Sequence, residues 1–458
     1  MIPQFKRTLP EIMTLLALFK ANNLSYNLFK CEHLFEGKNK NLDVLFETEQ
    51  DYLKAAQLLE QEGFILYLSE KFEKYKKMYV RFKDNFPLAV HLHREVAWHG
   101  LKALDKKPIF ARQINLTSEI IVPSPEDSLL IHMGHILFEN FKIKDKERWL
   151  ICALLNRGDL NWDYIQTQLQ RNGWENSFYK LLKKIKSGKD LKKREVFFHF
   201  GRRVLSKPKD FITLVQKIMR KVILKLNPKR KGTLIALIGV NGAGKTTLTN
   251  KLIETYRPFT ELIGKEISGY YYGWEPFTPW AKGLAWVLRN KKTFRKVAEE
   301  YSLNQKINIS HEILFVYNYV EYLFRYWFQV YPKLHRGEVV ISDRYFYDLY
   351  GQYPYAEKSI IIELLIKLFP EPDQIFLLDS PLDIIMTRNK TLINFGYKEN
   401  IRKVKSKTYL DRQKRTYLKL SLLFKDINIL NTKTEINNNL NNIINNSWEL
   451  VVQNTGES

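Results

Sequence analysis

Thr233-Leu-Ile-Ala-Leu-Ile238 runs directly into Gly239-Val-Asn-Gly-Ala-Gly-Lys-Thr246, and Thr247-Leu-Thr-Asn-Lys-Leu-Ile-Glu-Thr-Tyr256 follows. An apolar run of strand length, a turn of the form G-x-x-x-x-G-K-[ST] and a helical run stand in the order a phosphate-binding loop requires. The glycines let the backbone curl so that successive N–H groups point inward at phosphate oxygens, and the helix N-terminus adds partial positive charge. Gly239, Val240, Asn241, Gly242, Ala243, Gly244, Lys245, Thr246 and Thr247 are therefore candidate contacts for a nucleoside triphosphate. Lys245 is expected at the β- and γ-phosphates, and the Thr246 hydroxyl on Mg²⁺.

The loop predicts nucleotide binding and leaves the reaction open, so the elements downstream decide. Glu338-Val-Val-Ile-Ser342 reads as a second strand, with Asp343-Arg344-Tyr345 at its carboxyl end. In an open parallel sheet that edge borders the ligand crevice. There Asp343 can support the metal opposite Thr246, and Arg344 can grip a phosphate bidentately. A third strand, Gln374-Ile-Phe-Leu-Leu378, ends in Asp379-Ser380-Pro381. Arg388, Lys390, Lys398, Arg402, Lys403, Lys405 and Lys407 follow. They suit a basic lid that neutralises a transferred phosphoryl group, although any one lysine there is as easily a solvated surface charge. Alternating apolar and helical runs beyond residue 232 predict a parallel α/β sheet with helices on both faces. Ile436, Leu440, Ile443, Ile444 and Trp448 keep helical spacing through an Asn-rich tail, which predicts a final packed helix.

Upstream, the chain of 458 residues is long enough for two to four domains. Residues 1–108 read as mixed α+β, with strands at Leu42–Phe46, Phe64–Leu68, Met78–Phe82 and Leu88–Leu92 and a helix from Thr48 to Glu62. Residues 109–205 read as helical, opened by the cap Ser124-Pro125-Glu126-Asp127. Residues 206–231 read as a basic amphipathic linker helix and 232–458 as the phosphate-binding domain. The net charge of +24 is concentrated: between Lys180 and Lys231 nineteen Lys/Arg face three acids. Such a block can attract nucleic acid, an anionic membrane surface or a polyanionic substrate, or is simply a solvated face, and no clear nucleic-acid motif accompanies it. Cys31 and Cys152 stand far apart with no C-x-x-C or Cys/His cluster nearby, which excludes a disulfide scaffold and a structural zinc site and fits a reducing, cytoplasmic setting. The first residues carry no signal-peptide pattern. Ile313–Tyr331 is apolar but holds Asn318, Glu321, Arg325 and Gln329, so it predicts an aromatic-rich helix outside a bilayer.

Through GVNGAGKTT, VVISDRY, IFLLDSP and the late YLDRQKRTY helix, residues 232–450 resemble thymidylate kinase, a P-loop nucleoside-monophosphate kinase. The resemblance implies phosphoryl transfer from ATP to a monophosphate, most plausibly dTMP, with catalytic roles for Lys245, Asp343, Arg344, Arg388 and Arg402. It implies Thr246 and Asp343 at the metal, and it leaves a homodimer through helices open. Three departures touch the acceptor side. Asn241 stands where the family has an acid, Trp274-Glu275-Pro276-Phe277-Thr278 replaces R-E-P-G-G-T, and the family's acceptor arginine falls near Tyr322, with Arg325 the closest substitute. Another phosphorylated acceptor, linked to sugar-nucleotide or surface-glycan synthesis, and a non-catalytic ATP-binding scaffold remain the alternatives.

The N-terminal part, over about residues 25–175, resembles nucleotidyltransferase-like domains through NLDVLF, VHLHREVAWHG and PSPEDSLLIHMGHIL. Active members need a D-x-D pair and a third acid for two Mg²⁺. Here the pair reads Asn41-Leu42-Asp43 and the third position falls near His91 in Val90-His91-Leu92-His93, which predicts a degenerate domain. His91 and His93 could be metal ligands with Asp43, or merely partly buried polar residues.

Overall fold

The structure, a computed structural model, describes residues 10–30, 41–191, 195, 201, 212–219, 231–273, 277–280, 282, 309–352, 358–394, 407–424, 427–433 and 435–456. The chain divides into two compact units, Met1–Arg81 with Pro87–Asn227 and the last three residues, and Pro228–Thr455 with Phe82–Phe86.

In the first unit, β1 (Tyr26–Leu28), β2 (Asn41–Phe46), β3 (Ile65–Leu68), β4 (Lys76–Lys83) and β5 (Phe86–His93) form one sheet in the order β1-β2-β5-β4-β3. β2 and β5 run parallel. The helix Glu49–Gln61 starts where Thr48 caps the Asp51 N–H. Two short antiparallel ladders follow, β6 (Val96–Trp98) with β7 (Leu101–Leu104) and β8 (Ile114–Asn115) with β9 (Ile121–Val122). The helices Pro125–His135, Asp145–Leu155, Trp162–Asn172 and Glu175–Lys186 share one core with β6 and β7. Trp98, Phe138 and Trp174 lie at its centre, and the indole N–H of Trp174 is satisfied by the Ala103 carbonyl at 2.9 Å. The helix Pro10–Ala21 and strand β1 were not legible in the sequence.

In the second unit, β10 (Thr233–Gly239), β11 (Ile267–Tyr271), β12 (Val339–Asp343), β13 (Gln374–Asp379) and β14 (Ile427–Asn431) make an all-parallel sheet in the order β11-β12-β10-β13-β14. Every residue of β10 is buried, as a central strand covered on both faces must be. The long helices are Lys245–Leu262, Ile309–Arg325, Lys407–Leu423 and the predicted last one, Ile436–Thr455. The run from Ile313 is not one regular helix: after Arg325 it widens into a π turn, Tyr326–Val330, before Tyr331–His335. Its aromatic character is used in the core, where Tyr322, Tyr345, Phe346 and Phe369 cluster, Phe346 stacking on Phe369 at 4.3 Å. No helix among the described residues is long and apolar enough to cross a membrane.

Candidate active site

The parallel register sets Leu237 of β10 opposite Asp343 of β12. The acid ending one strand therefore stands beside the loop that leaves the other. The Thr246 hydroxyl donates to Asp343 Oδ2 at 2.5 Å, across 97 residues of sequence. Asp343 Oδ1 is buried and has no hydrogen-bond partner among the described residues. An unsatisfied buried polar atom costs about 1–3 kcal/mol, so this oxygen is a natural place for a cation. Carboxylate and hydroxyl oxygens are hard donors, and the pair Thr246 and Asp343 fits Mg²⁺.

The loop itself needs its glycines. Gly239 sits at φ +140°, and a Cβ there would lie 2.7 Å from the Leu378 carbonyl oxygen. Gly244, at φ +98°, opens the helix, and a Cβ on it would lie 3.7 Å from Arg388 Nη1. That distance brings Arg388 beside the loop. Val240 and Ala243 pack inward, and the Ala243 N–H closes the turn on the Val240 carbonyl at 3.1 Å. Lys245 is folded back, donating to the carbonyls of Gly239 at 2.6 Å and Val240 at 3.0 Å. Burial, and then the Arg344 guanidinium, lower its pKa to about 8.

Arg344 occupies the left-handed region at φ +74°, a conformation costing roughly 1–2 kcal/mol outside glycine. Its N–H bonds the Leu237 carbonyl at 3.0 Å and the Ser342 hydroxyl donates to its carbonyl, so the flanking strands hold the bend. The bend sends Tyr345, Phe346 and Tyr347 into the core while the guanidinium turns to the loop. There Nη1 donates to Asp348 Oδ2 at 2.9 Å and Nη2 to the Asn241 side-chain oxygen.

Lys245, Thr246, Asp343, Arg344 and Arg388 thus converge at the carboxyl ends of β10 and β12. Arg402, with Lys398, Lys403 and Lys405, lies outside the described residues, as do Trp274, Glu275 and Pro276. Asp348 escaped the sequence reading, although its spacing of four from Arg344 was a usable signal. So did the Asp379–Lys414 pair, Nζ to Oδ1 2.8 Å. Glu321 also belongs to the site's support: its carboxylate accepts from the backbone N–H of Phe277 at 2.5 Å and from Thr278.

Arg325, the expected substitute for an acceptor arginine, is spent elsewhere. It donates Nη1 to the Gly273 carbonyl at 2.6 Å, Nη2 to the Tyr271 carbonyl at 2.7 Å and Nε to the Tyr270 hydroxyl at 3.1 Å. Its guanidinium also lies 5.0 Å from the Tyr272 ring centre. Arg325→Met is therefore expected to destabilise the protein by about 2–4 kcal/mol, leaving buried carbonyls unpaired. A chemical-denaturation midpoint matching wild type, with only the acceptor KM raised, would restore its substrate role.

In the first unit the register sets Asp43 opposite His91, with His93 two residues on along the same face. Asp43 Oδ1 lies 2.9 Å from His93 Nε2, 3.5 Å from Lys30 Nζ and 4.0 Å from His91 Nδ1. Burial would raise the Asp43 pKa, but Lys30 and the two imidazoles outweigh it and hold the carboxyl well below its usual range. Burial lowers both histidines, His93 to about 4, so both rings are neutral at pH 7. A two-magnesium site needs several carboxylates. Asn41 and His91 stand where two of them would be, and Lys30 adds a like charge, so this donor set does not fit the Mg²⁺ pair.

Residues 38–187 match a family described as uncharacterised nucleotidyltransferase. Residues 224–340 match one described as ABC transporter. A protein named "Probable thymidylate kinase" from Thermococcus kodakarensis is 32% identical over 223 residues, covering 46% of this chain and 94% of its own. A putative ABC transporter ATP-binding protein from Methanosarcina acetivorans is 54% identical over 44 residues, which is 9% of this chain and 7% of that one. A solved thymidylate kinase from Ehrlichia chaffeensis covers 47% of this chain and 97% of its own at 16% identity, with a TM-score of 0.30.

Proposed function

Because the chain belongs, through its C-terminal half, to the thymidylate kinase family, we propose that this nucleoside-monophosphate kinase domain carries phosphate from ATP to dTMP, giving dTDP. The ABC transporter similarity spans the phosphate loop and reaches the start of β12, residues 224–340, but the ABC relative is matched over 7% of its length, against 94% for the kinase. The single observation that carries the reading is the Thr246–Asp343 contact with the orphaned Asp343 oxygen, beside an arginine turned toward the loop.

The loop N–H groups would receive the ATP phosphates, and Lys245 would leave its two carbonyls for the β- and γ-oxygens. Mg²⁺, held by Thr246 and Asp343, would supply neutralisation of charge on the phosphate oxygens. Arg344 still has donors beyond those given to Asp348 and Asn241, and these would hold the acceptor's phosphate for in-line attack on the γ-phosphorus. Arg388 would meet charge developing over Gly244.

Asn241 favours keeping a second acceptor class open. Its oxygen is already engaged by Arg344 and it lacks the charge of the family's acid, so the sugar end of the acceptor meets a different surface. Purified protein, ATP, Mg²⁺ and a panel of monophosphates, followed by ADP release, test the proposal. Stimulation by dTMP is expected, with a preference over dUMP of about 10–200-fold, what one methyl group in a pocket can give. Turnover only with a phosphorylated sugar or another metabolite would replace dTMP, and nucleotide binding with no turnover on any acceptor would favour a scaffold.

Two partner proposals accompany this one. Exposed Lys180, Lys183, Lys186 and Lys189, with exposed Ile212, Val215 and Ile218 on the described part of the linker helix, support contact with an anionic membrane surface. A homodimer would cover Ile313, Val316, Val320 and Phe324, an exposed apolar face of helix Ile309–Arg325.

A further inference from the structure

The misfit of the Mg²⁺ pair in the first unit leaves three donors together with another preference. Asp43, His91 and His93 each offer one ligand atom, and these three atoms all lie within 4.8 Å of one another. They are brought there by strand register and not by sequence proximity, since 50 residues separate Asp43 from His93. We propose that Asp43, His91 and His93 form a three-ligand site for one divalent transition-metal ion of the zinc class.

The donor chemistry selects the ion. Magnesium asks for an octahedron of oxygens and is poorly served by imidazole, whereas two imidazoles and one carboxylate suit zinc and its neighbours. The geometry needs small adjustments. Ligand atoms around tetrahedral zinc stand roughly 3.3 Å apart, given bonds of about 2.0–2.1 Å. The 2.9 Å contact of Asp43 with His93 must therefore open slightly, and the 4.0 Å separation from His91 must close. Among the described residues buried His91 Nδ1 has no hydrogen-bond partner, so its lone pair is available to a metal. Lys30 Nζ, 3.5 Å from Asp43, is the competing cation, and its flexible stem can withdraw. Three protein ligands leave a fourth position open, as in metal sites that take water or an anionic oxygen.

The test uses full-length protein without a histidine tag, stripped by chelator and titrated with Co²⁺ and then Zn²⁺ in the absence of nucleotide. One equivalent of Co²⁺ is expected to give visible d–d absorption, displaced by Zn²⁺ and unaffected by millimolar Mg²⁺. The band should vanish in Asp43→Asn and in His91→Gln, and strengthen at low cobalt in Lys30→Met. It should persist in Thr246→Ala, which removes a metal ligand of the kinase site only. His91→Gln sits on the less buried of the two histidines, so its circular dichroism should match wild type even if Asp43→Asn loosens the fold. Absence of a stoichiometric band in both the wild type and Lys30→Met would overturn the assignment. So would a band that survives the His91→Gln change in a folded protein.

Discussion

Lys245→Ala is expected to reduce kcat/KM by at least about 10²–10³-fold, the cost of removing one preorganised cationic donor from a phosphoryl-transfer site. The fold should survive, because the ammonium is not a core strut. It is buried, its pKa has fallen to about 8, and its hydrogen bonds among the described residues go to two carbonyls of that same loop. Deleting it removes a desolvated charge as well as two bonds, and the opposing effects should leave the melting temperature within a few degrees of wild type. Steady-state ADP release and thermal unfolding measure both halves. Unchanged turnover would remove the phosphate-loop assignment and with it the kinase proposal.

Arg344→Lys should cost about 10²-fold, and the loss should sit in the KM for the monophosphate and not in that for ATP. Lysine keeps the charge but loses the fork that lets one side chain hold Asp348, Asn241 and an acceptor phosphate together. The left-handed backbone at this residue adds a second discriminator. Arg344→Gly relieves the strain while deleting the guanidinium, so it should lose activity further without a matching fall in stability. If both variants kept the wild-type acceptor KM, Arg344 would be only a tie between the loop and Asp348.

The sites differ in how much of them was visible beforehand. The phosphate loop was legible because its conformation is written locally: Gly239 and Gly244 hold backbone angles that no neighbouring element has to impose. Strands β10, β12 and β13 were legible for a related reason, since a strand buried on both faces shows as an unbroken apolar run. The edge strands were harder. Ile267–Tyr271 and Ile427–Asn431 are short, mix polar with apolar residues and are largely half-exposed, so neither stands out from a loop.

Arg325 illustrates the limit most clearly. Its place near an acceptor arginine in sequence suggested a substrate role, but folding aims it at the carbonyls of Gly273 and Tyr271, more than 50 residues away. Glu321 became part of the site's framework in the same way, through the backbone N–H groups of Phe277 and Thr278 that only packing supplies.

The amino-acid sequence by itself determined the phosphate cradle, the parallel α/β character of the second half and the identity of the acid and arginine that end β12. These follow from backbone freedom and burial period, which act over a few neighbouring residues. Only the tertiary structure decided which donors face one another: Thr246 with Asp343, Arg344 with Asn241, and Asp43 with two histidines on a neighbouring strand. Strand register sets those meetings, and register is chosen by the whole sheet's burial and not by any one strand's residues.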